Sequence, residues 1–243
     1  MTGNRDESVA DERLRGLPAT SRRQEYSAST RRALVEVATE LFTRRGYART
    51  SLDEIVAGAR VTKGALYHHF SGKQALFESV FESVEERAAR DIQRAVRGHR
   101  DPWDKALGGL RAFLAVLQEP GYRRIVVADG PGVLGDERYR EHEQRTTFGI
   151  VREIVSSVLI SYDLEPSMVE TFSRVFFGAM SAAGTAVCSA KDTRRASLEA
   201  EAAIAYILAG LRQMAESGVP LPKPDLLGAD FDFIDDLDEV DQA

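Results

Sequence analysis

Apolar residues recur at helical spacing through almost the whole chain. Leu34, Val37, Ala38, Leu41 and Phe42 fall at i, i+3, i+4, i+7 and i+8, the single buried stripe of an amphipathic helix. A helix is therefore expected from Ser29 to a stop at Gly46, the residue type that most readily takes the left-handed C′ conformation. "SLDE" follows: Ser51 suits an N-cap and Glu54 sits at N3 of a capping box. Leu52, Ile55 and Val56 supply the short stripe of this second helix, which ends near Gly58 and Ala59. Thr62 can cap a third helix bearing Leu66 and Phe70. "SGKQ" then repeats the capping-box pattern, with Ser71 as cap and Gln74 at N3. It launches a long fourth helix through Leu76, Val80 and Val84 to about Val96. Helices two and three are separated by only a few residues, which is helix-turn-helix spacing.

The remainder reads the same way. Pro102 suits the first turn of a helix running to about Gln118, broken by Glu119-Pro120-Gly121. A short apolar segment ends at Gly130, and Pro131 restarts the chain. A longer helix is expected over 133–160, with Phe148, Val151, Ile154, Val155 and Val158 inward. Two more follow Pro166 and the polar stretch 191–195. No alternating strand pattern appears, so the chain is expected to be all-α. It divides into a flexible arm (1–28), a helix-turn-helix domain (29–75), a helical regulatory and dimerisation domain (76–219) and an acidic tail (220–243).

"ALYHHFSGKQAL", residues 65–76, carries the densest chemistry. Adjacent histidines on a helix point about 100° apart, and metal pairs want i, i+4 spacing, so His68 and His69 do not make a metal site. A catalytic histidine needs a nucleophile and an orienting carboxylate, and no such spacing is present; neither an enzyme nor a cofactor is implied. Thr62, Lys63, Gly64, Ala65, Tyr67 and His68 form instead the outer face of helix three. Gly64 and Ala65 are small enough for close approach to a groove, while Lys63, Tyr67 and His68 can donate to phosphate oxygens. Lys73 lies at the start of helix four, where free N–H groups already favour an anion.

Residues 30–81 resemble the N-terminal domain of the TetR/AcrR family of bacterial transcriptional repressors. The likeness rests on the run from Gly46 to Leu76, which follows the family's "G-x-x-x-T-[ST]-x-x-x-I-A-x-x-A-G-V-[ST]-x-G-x-x-Y-x-[HY]-F-x-x-K-x-x-L" pattern. Two positions depart from it: Val56 stands where Ala is common, and Arg60 replaces the usual Gly before Val61. The resemblance implies that Thr50, Ser51, Thr62, Tyr67, His68 and Lys73 touch the DNA backbone, and that Lys63, Gly64 and Ala65 face base edges. It also implies a dimer that binds a double-stranded operator and is released by a small effector; control by a protein partner is the alternative. Residues 127–141, "VADGPGVLGDERYRE", resemble a segment of one TetR subgroup, and Gly130-Pro131-Gly132 equally suit an ordinary turn between helices. The Asp129-Gly130-Pro131-Gly132 junction is the expected moving part of a switch. Trp103, Phe113, Tyr122, Phe148, Phe172 and Phe176 are the aromatics expected to line an apolar effector pocket. Gly178, Ala182 and Ala186, with Ala202, Ala205 and Ala209 on the next helix, offer small-residue faces for a homodimer.

Charge sharpens this picture. The chain carries −6 overall, yet Arg22–Lys73 holds ten Lys/Arg against five Asp/Glu, which leaves −11 for the rest. Such asymmetry fits one part that meets a polyanion. Pro224 onward holds eight acids and no base. Cys188 stands alone, which excludes an intramolecular disulfide and a multi-cysteine zinc site. The first thirty residues show no apolar leader and no run reaches the roughly 18 residues of a membrane span, so a cytoplasmic protein that does not enter the membrane is expected.

Overall fold

A computed structural model describes residues 19–160, 162 and 164–218. Among these every regular element is helical: α1 (Ala19–Arg45), α2 (Leu52–Gly58), α3 (Lys63–His69), α4 (Lys73–Arg97), α5 (Pro102–Val116), a π-helical segment (Tyr122–Asp129), α6 (Gly130–Leu134), α7 (Asp136–Leu159), α8 (Pro166–Ser189) and α9 (Thr193–Glu216). The expected acidic tail (220–243) and the first eighteen residues of the expected arm lie outside the described residues. The rest of that arm is corrected. Residues 19–28 are the opening turns of α1, which begins ten residues ahead of the expected start at Ser29.

Helix α1 ends as its sequence requires. Gly46 has φ +78°, and its N–H donates to Phe42 O at 2.8 Å. Ser51 and Glu54 form the full capping box at the start of α2: the Ser51 hydroxyl accepts from Glu54 N–H, and the Glu54 carboxylate accepts from Ser51 N–H at 3.0 Å. That satisfies two otherwise orphaned helix-end donors and holds the Glu54 carboxyl below its usual range, through those Ser51 bonds first and Arg45 after them. Thr62 caps α3 by accepting from Ala65 N–H at 3.1 Å. Leu34, Ala38, Phe42, Ile55, Leu66 and Phe70 close a core between α1, α2, α3 and the start of α4. Phe77 of α4 meets Phe42 and Tyr47 edge-on at 5.3 and 5.1 Å.

The second capping box does not form. α4 has Gly72 as N-cap with no side-chain cap. The Gln74 amide instead donates to Val133 O at 2.8 Å, tying the start of α4 to α6. Beyond this point α4 buries Phe81, Val84, Glu85, Ala88, Ile92 and Val96 against the regulatory helices, so one unbroken helix belongs to both halves. Asp101 caps α5, accepting from Trp103 and Asp104 N–H at 2.9 Å each, with Pro102 in the first turn.

The expected break at Gly130-Pro131-Gly132 is absent. The π-helical segment runs directly into α6, and the chain turns only at Gly135, φ +81°. Gly130 is required by contact: a Cβ there would lie 2.8 Å from the Phe81 ring and 3.2 Å from Ile125 O. A Cβ at Gly132 would meet only open space. Helices α7, α8 and α9 complete the regulatory half, with α9 burying no residue fully.

Arg60, in the turn between α2 and α3, has φ +54° and is the one non-glycine residue with positive φ among those described. Its Cβ costs about 1–2 kcal/mol in that conformation, partly offset by the greater unfolded-state freedom of glycine. Arg60→Gly is therefore expected to stabilise the protein by about 0.5–1 kcal/mol. A thermal melt checks this. A lowered Tm would mean that the Arg60 side chain makes a compensating contact.

Candidate DNA-binding face and regulatory cavity

α3 stands proud of the head because only Leu66 on it is fully buried. Thr62, Lys63, Gly64, Tyr67 and His68 are exposed and Ala65 half-buried, and Tyr67 keeps 59% of its surface. The outer face read from the sequence is thus brought together as one solvent-facing strip. Ser51 lies exposed on the neighbouring helix start. Lys63 is held for the present by Asp53, Nζ to Oδ1 2.7 Å, and this carboxylate raises the ammonium's pKa. Both partners are largely exposed, so the pair is weak and leaves Lys63 exchangeable for a DNA partner. Lys73 occupies the first turn of α4, its ammonium 4.2 Å from the centre of the Tyr47 ring. Partial burial lowers its pKa.

Thr50 departs from the expected set. It is 2% exposed, and its hydroxyl donates to Gly46 O at 2.9 Å. This side chain locks the turn after α1 and does not face outward.

The regulatory half holds a partly open cavity of about 160 Å³. Five of the six expected aromatics line it: Trp103, Phe113, Tyr122, Phe172 and Phe176. Phe148 does not. It packs edge-on against Phe177 at 5.5 Å, with the Arg174 guanidinium 5.5 Å from its ring. Helical spacing placed Phe148 inward, and packing against α8 chose the partner.

Sequence reasoning missed the polar side of this cavity. Glu85 of α4, 2% exposed, and Glu143 of α7 both line it, with Tyr139 and Ser181. Glu85 occupies a core register between Phe81 and Ala88, and an acid inside an apolar stripe was the signal available. Burial pushes its carboxyl up to about 7; the Thr146 hydroxyl opposes this, and the charges of Glu143 and Glu82 add to it. Hydrogen bonding agrees. The Thr146 hydroxyl lies 2.8 Å from His142 O and 3.2 Å from Glu85 Oε2, and it has one proton to give. With that proton on the nearer carbonyl, the Glu85 contact is best satisfied by a protonated carboxyl donating to Thr146. Glu143 is also raised by burial, against the opposing hydroxyls of Ser181 and Tyr139.

Between cavity and head lies the π-helical segment. Its i→i+5 register sets residues five apart on one side. Tyr122 and Val127 line the cavity, while Arg124 and Asp129 reach the head. Asp129 Oδ2 accepts from Tyr47 N–H at 2.8 Å and from Arg124 Nε–H at 3.2 Å. The Arg124 guanidinium fills the space where a side chain at Gly46 would stand.

No helix among the described residues is long and apolar enough to cross a membrane. Buried Glu85 costs stability only where the unfolded chain would ionise it. Below about 4.5 it is protonated whether the chain is folded or not. As pH rises toward 7 the unfolded chain ionises first, and stability is lost. Glu85→Gln is expected to leave stability unchanged near pH 4.5 and to add about 3 kcal/mol at pH 8. Urea titrations at both pH values test this, and an equal difference at the two would refute it.

Two family models match the chain: "Bacterial regulatory proteins, tetR family" over residues 34–80 and "Tetracyclin repressor-like, C-terminal domain" over residues 103–211. The Transposon Tn10 TetC protein of Escherichia coli is 46% identical over 59 residues, 24% of this chain and 30% of that protein. The HTH-type transcriptional regulator AcrR of Shigella flexneri is 42% identical over 62 residues, 26% of this chain and 29% of that one. These matches thus span under a third of either relative. A crystal structure of a TetR-family transcriptional regulator from Pectobacterium atrosepticum superposes with TM-score 0.68 at 27% identity, over 77% of this chain and 96% of that one. With both family segments matched, the helix-turn-helix exposed and the all-helical fold shared, this chain belongs to the TetR/AcrR family of DNA-binding transcriptional regulators, which are not enzymes.

Proposed function

We propose that the protein is a cytoplasmic repressor that binds a palindromic operator as a homodimer and is released by a small effector. The observation that carries this reading is the π-helical segment, which has the regulatory cavity on one side and the DNA-binding head on the other. A cavity so placed favours a ligand over a protein partner as the controlling signal. Displacement of Tyr122 or Val127 by a ligand moves the same short segment whose Asp129 holds Tyr47. The two heads then change their spacing on the DNA. A coupling of about 1–3 kcal/mol is sufficient for regulation.

Support for the dimer lies on α8 and α9. Val175, Gly178, Ala182 and Ala186 on one helix and Leu198, Ala202, Tyr206 and Ile207 on the other are exposed, Tyr206 at 83%. Small residues let a second copy approach closely, and the large apolar side chains around them call for cover. Ser51, Thr62, Tyr67, His68 and Lys73 are assigned to phosphate contact. Lys63, Gly64 and Ala65 are assigned to base edges in the major groove.

Gel-shift and footprinting on DNA from the neighbouring genes test the reading directly. A protected inverted repeat with half-sites about 34–36 Å apart, or a multiple of that, is expected; a footprint on one asymmetric site would overturn it. Lys73→Ala should weaken binding to every sequence and lower the salt slope by about 1, and an unchanged slope removes Lys73 from the phosphate contacts. Ala182→Arg buries an unpaired charge at about 3–5 kcal/mol, enough to shift the mass seen by light scattering from dimer to monomer. Persistence of the dimer would relocate the interface. Asp129→Asn, which keeps the shape but loses the charge facing Arg124, should reduce effector response more than free-state operator affinity. The ratio of operator Kd with and without effector measures this, and the same ratio in both proteins excludes the joint.

A further inference from the structure

The regulatory cavity is lined by two acids and by no lysine, arginine or histidine. Glu85 arrives from α4 and Glu143 from α7, facing walls built from Trp103, Phe113, Tyr122 and Phe176. The charged and titratable groups around Glu85 are Glu82 on its own helix, Glu143 and Tyr139 on α7, and Tyr122 on the π-helical segment. None of these can be a cation, and His142, one turn away on α7, faces Glu78 and Glu82 instead. Exposed Arg140 acts on Glu143, and Arg123 is directed at Cys188. Glu85 is nine-tenths buried and more, and among the described residues Oε1 accepts no hydrogen bond, Oε2 meeting only Thr146. A carboxylate in such a wall is costly without a counter-charge, and no basic side chain lines the cavity.

We propose that the cavity takes a compact organic cation, a lipophilic ammonium whose charge is met by Glu85 and Glu143 and whose apolar body rests on the aromatic side chains. The proposal rests on reading the cavity as the effector site, and names the class of effector. Aromatic ring faces attract cations as the carboxylates do, so both components of the lining select the same charge. An anion is repelled by both. Size limits the ligand as well: an apolar cavity of about 150 Å³ holds one benzene ring, so about 160 Å³ suits one ring with a small ammonium head. Binding draws Glu85 into its ionised form. Below pH 7 the carboxyl gives up its proton to solvent as the cation enters, and above pH 7 it is already charged.

Phenyltrimethylammonium and its neutral isostere tert-butylbenzene separate charge from shape, and the quaternary nitrogen does not titrate. Calorimetric titration of the full chain at pH 6 and pH 8 is expected to show the cation binding about tenfold tighter at pH 8, with proton release at pH 6 seen as heat that varies with the buffer. That factor follows from a carboxyl titrating near 7. Glu85→Gln should abolish the pH dependence and weaken the cation at least tenfold, leaving tert-butylbenzene unchanged. Glu143→Gln, on a different helix, should weaken the cation alone. Isostere and cation binding equally, or phenol binding in place of the cation, would overturn the proposal while keeping the cavity as an effector site. Failure of all three to bind or to raise the melting temperature would remove the effector site itself, and the proposal with it.

Discussion

One helix has to satisfy two cores. α4 is 25 residues long, on the order of 37 Å, and buries the same face along nearly its whole length. At its start Leu76, Phe77 and Val80 close the head against α1; further on Phe81, Val84, Glu85, Ala88 and Ile92 close the regulatory half. A helix interior transmits displacement with little loss because its backbone bonds are all made internally. Whatever repositions the middle of α4 repositions the platform under α3. α1, α5, the π-helical segment, α6 and α7 all pack against α4, and α8 and α9 are added outside them.

Rigidity along α4 is complemented by a joint beside it. Asp129 reaches back to the backbone of Tyr47, and the Arg124 guanidinium rests against Gly46. The φ of +78° at Gly46 asks for glycine, and the movable Arg124 guanidinium occupies the space beside it. The π-helical register is what makes this geometry available. In an α-helix, neighbours on one face lie three or four apart, so Tyr122 with Val127 and Arg124 with Asp129 would not have formed two separate working sides. π-helical turns are found at functional positions for this kind of reason.

Two residues break local rules, one in the turn before the exposed strip of α3 and one in the cavity wall. Arg60 adopts a left-handed conformation in the turn that presents α3, so an added surface cation is carried beside the DNA-binding strip at some cost to the head. Glu85 places an ionisable carboxyl in the buried stripe of α4. A sequence selected for stability alone would hold glycine and an apolar residue at these positions. The strain in both is local and is tolerated because the surrounding core over-determines the fold.

Local chemistry alone determined several helix ends: the apolar stripe of α1, the Ser51–Glu54 box, the Thr62 cap and the stop at Gly46 depend on residues within one or two turns. The outward strip of α3 was legible for the same reason, since a short helix with one buried face leaves the other to solvent. Tertiary structure decided what depends on distant partners. Gln74 was free to cap α4, but Val133, 59 residues away, offered its carbonyl instead. Thr50 was drawn inward by the carbonyls ending α1, and Phe148 was claimed by Phe177. The glycines near 130 looked like a break, because nothing nearby in sequence shows that Phe81 needs that space. Glu85, Glu143 and Tyr139 became one polar wall only when α4 and α7 met. Hydrophobic periodicity records which face is covered; it carries no record of what covers it.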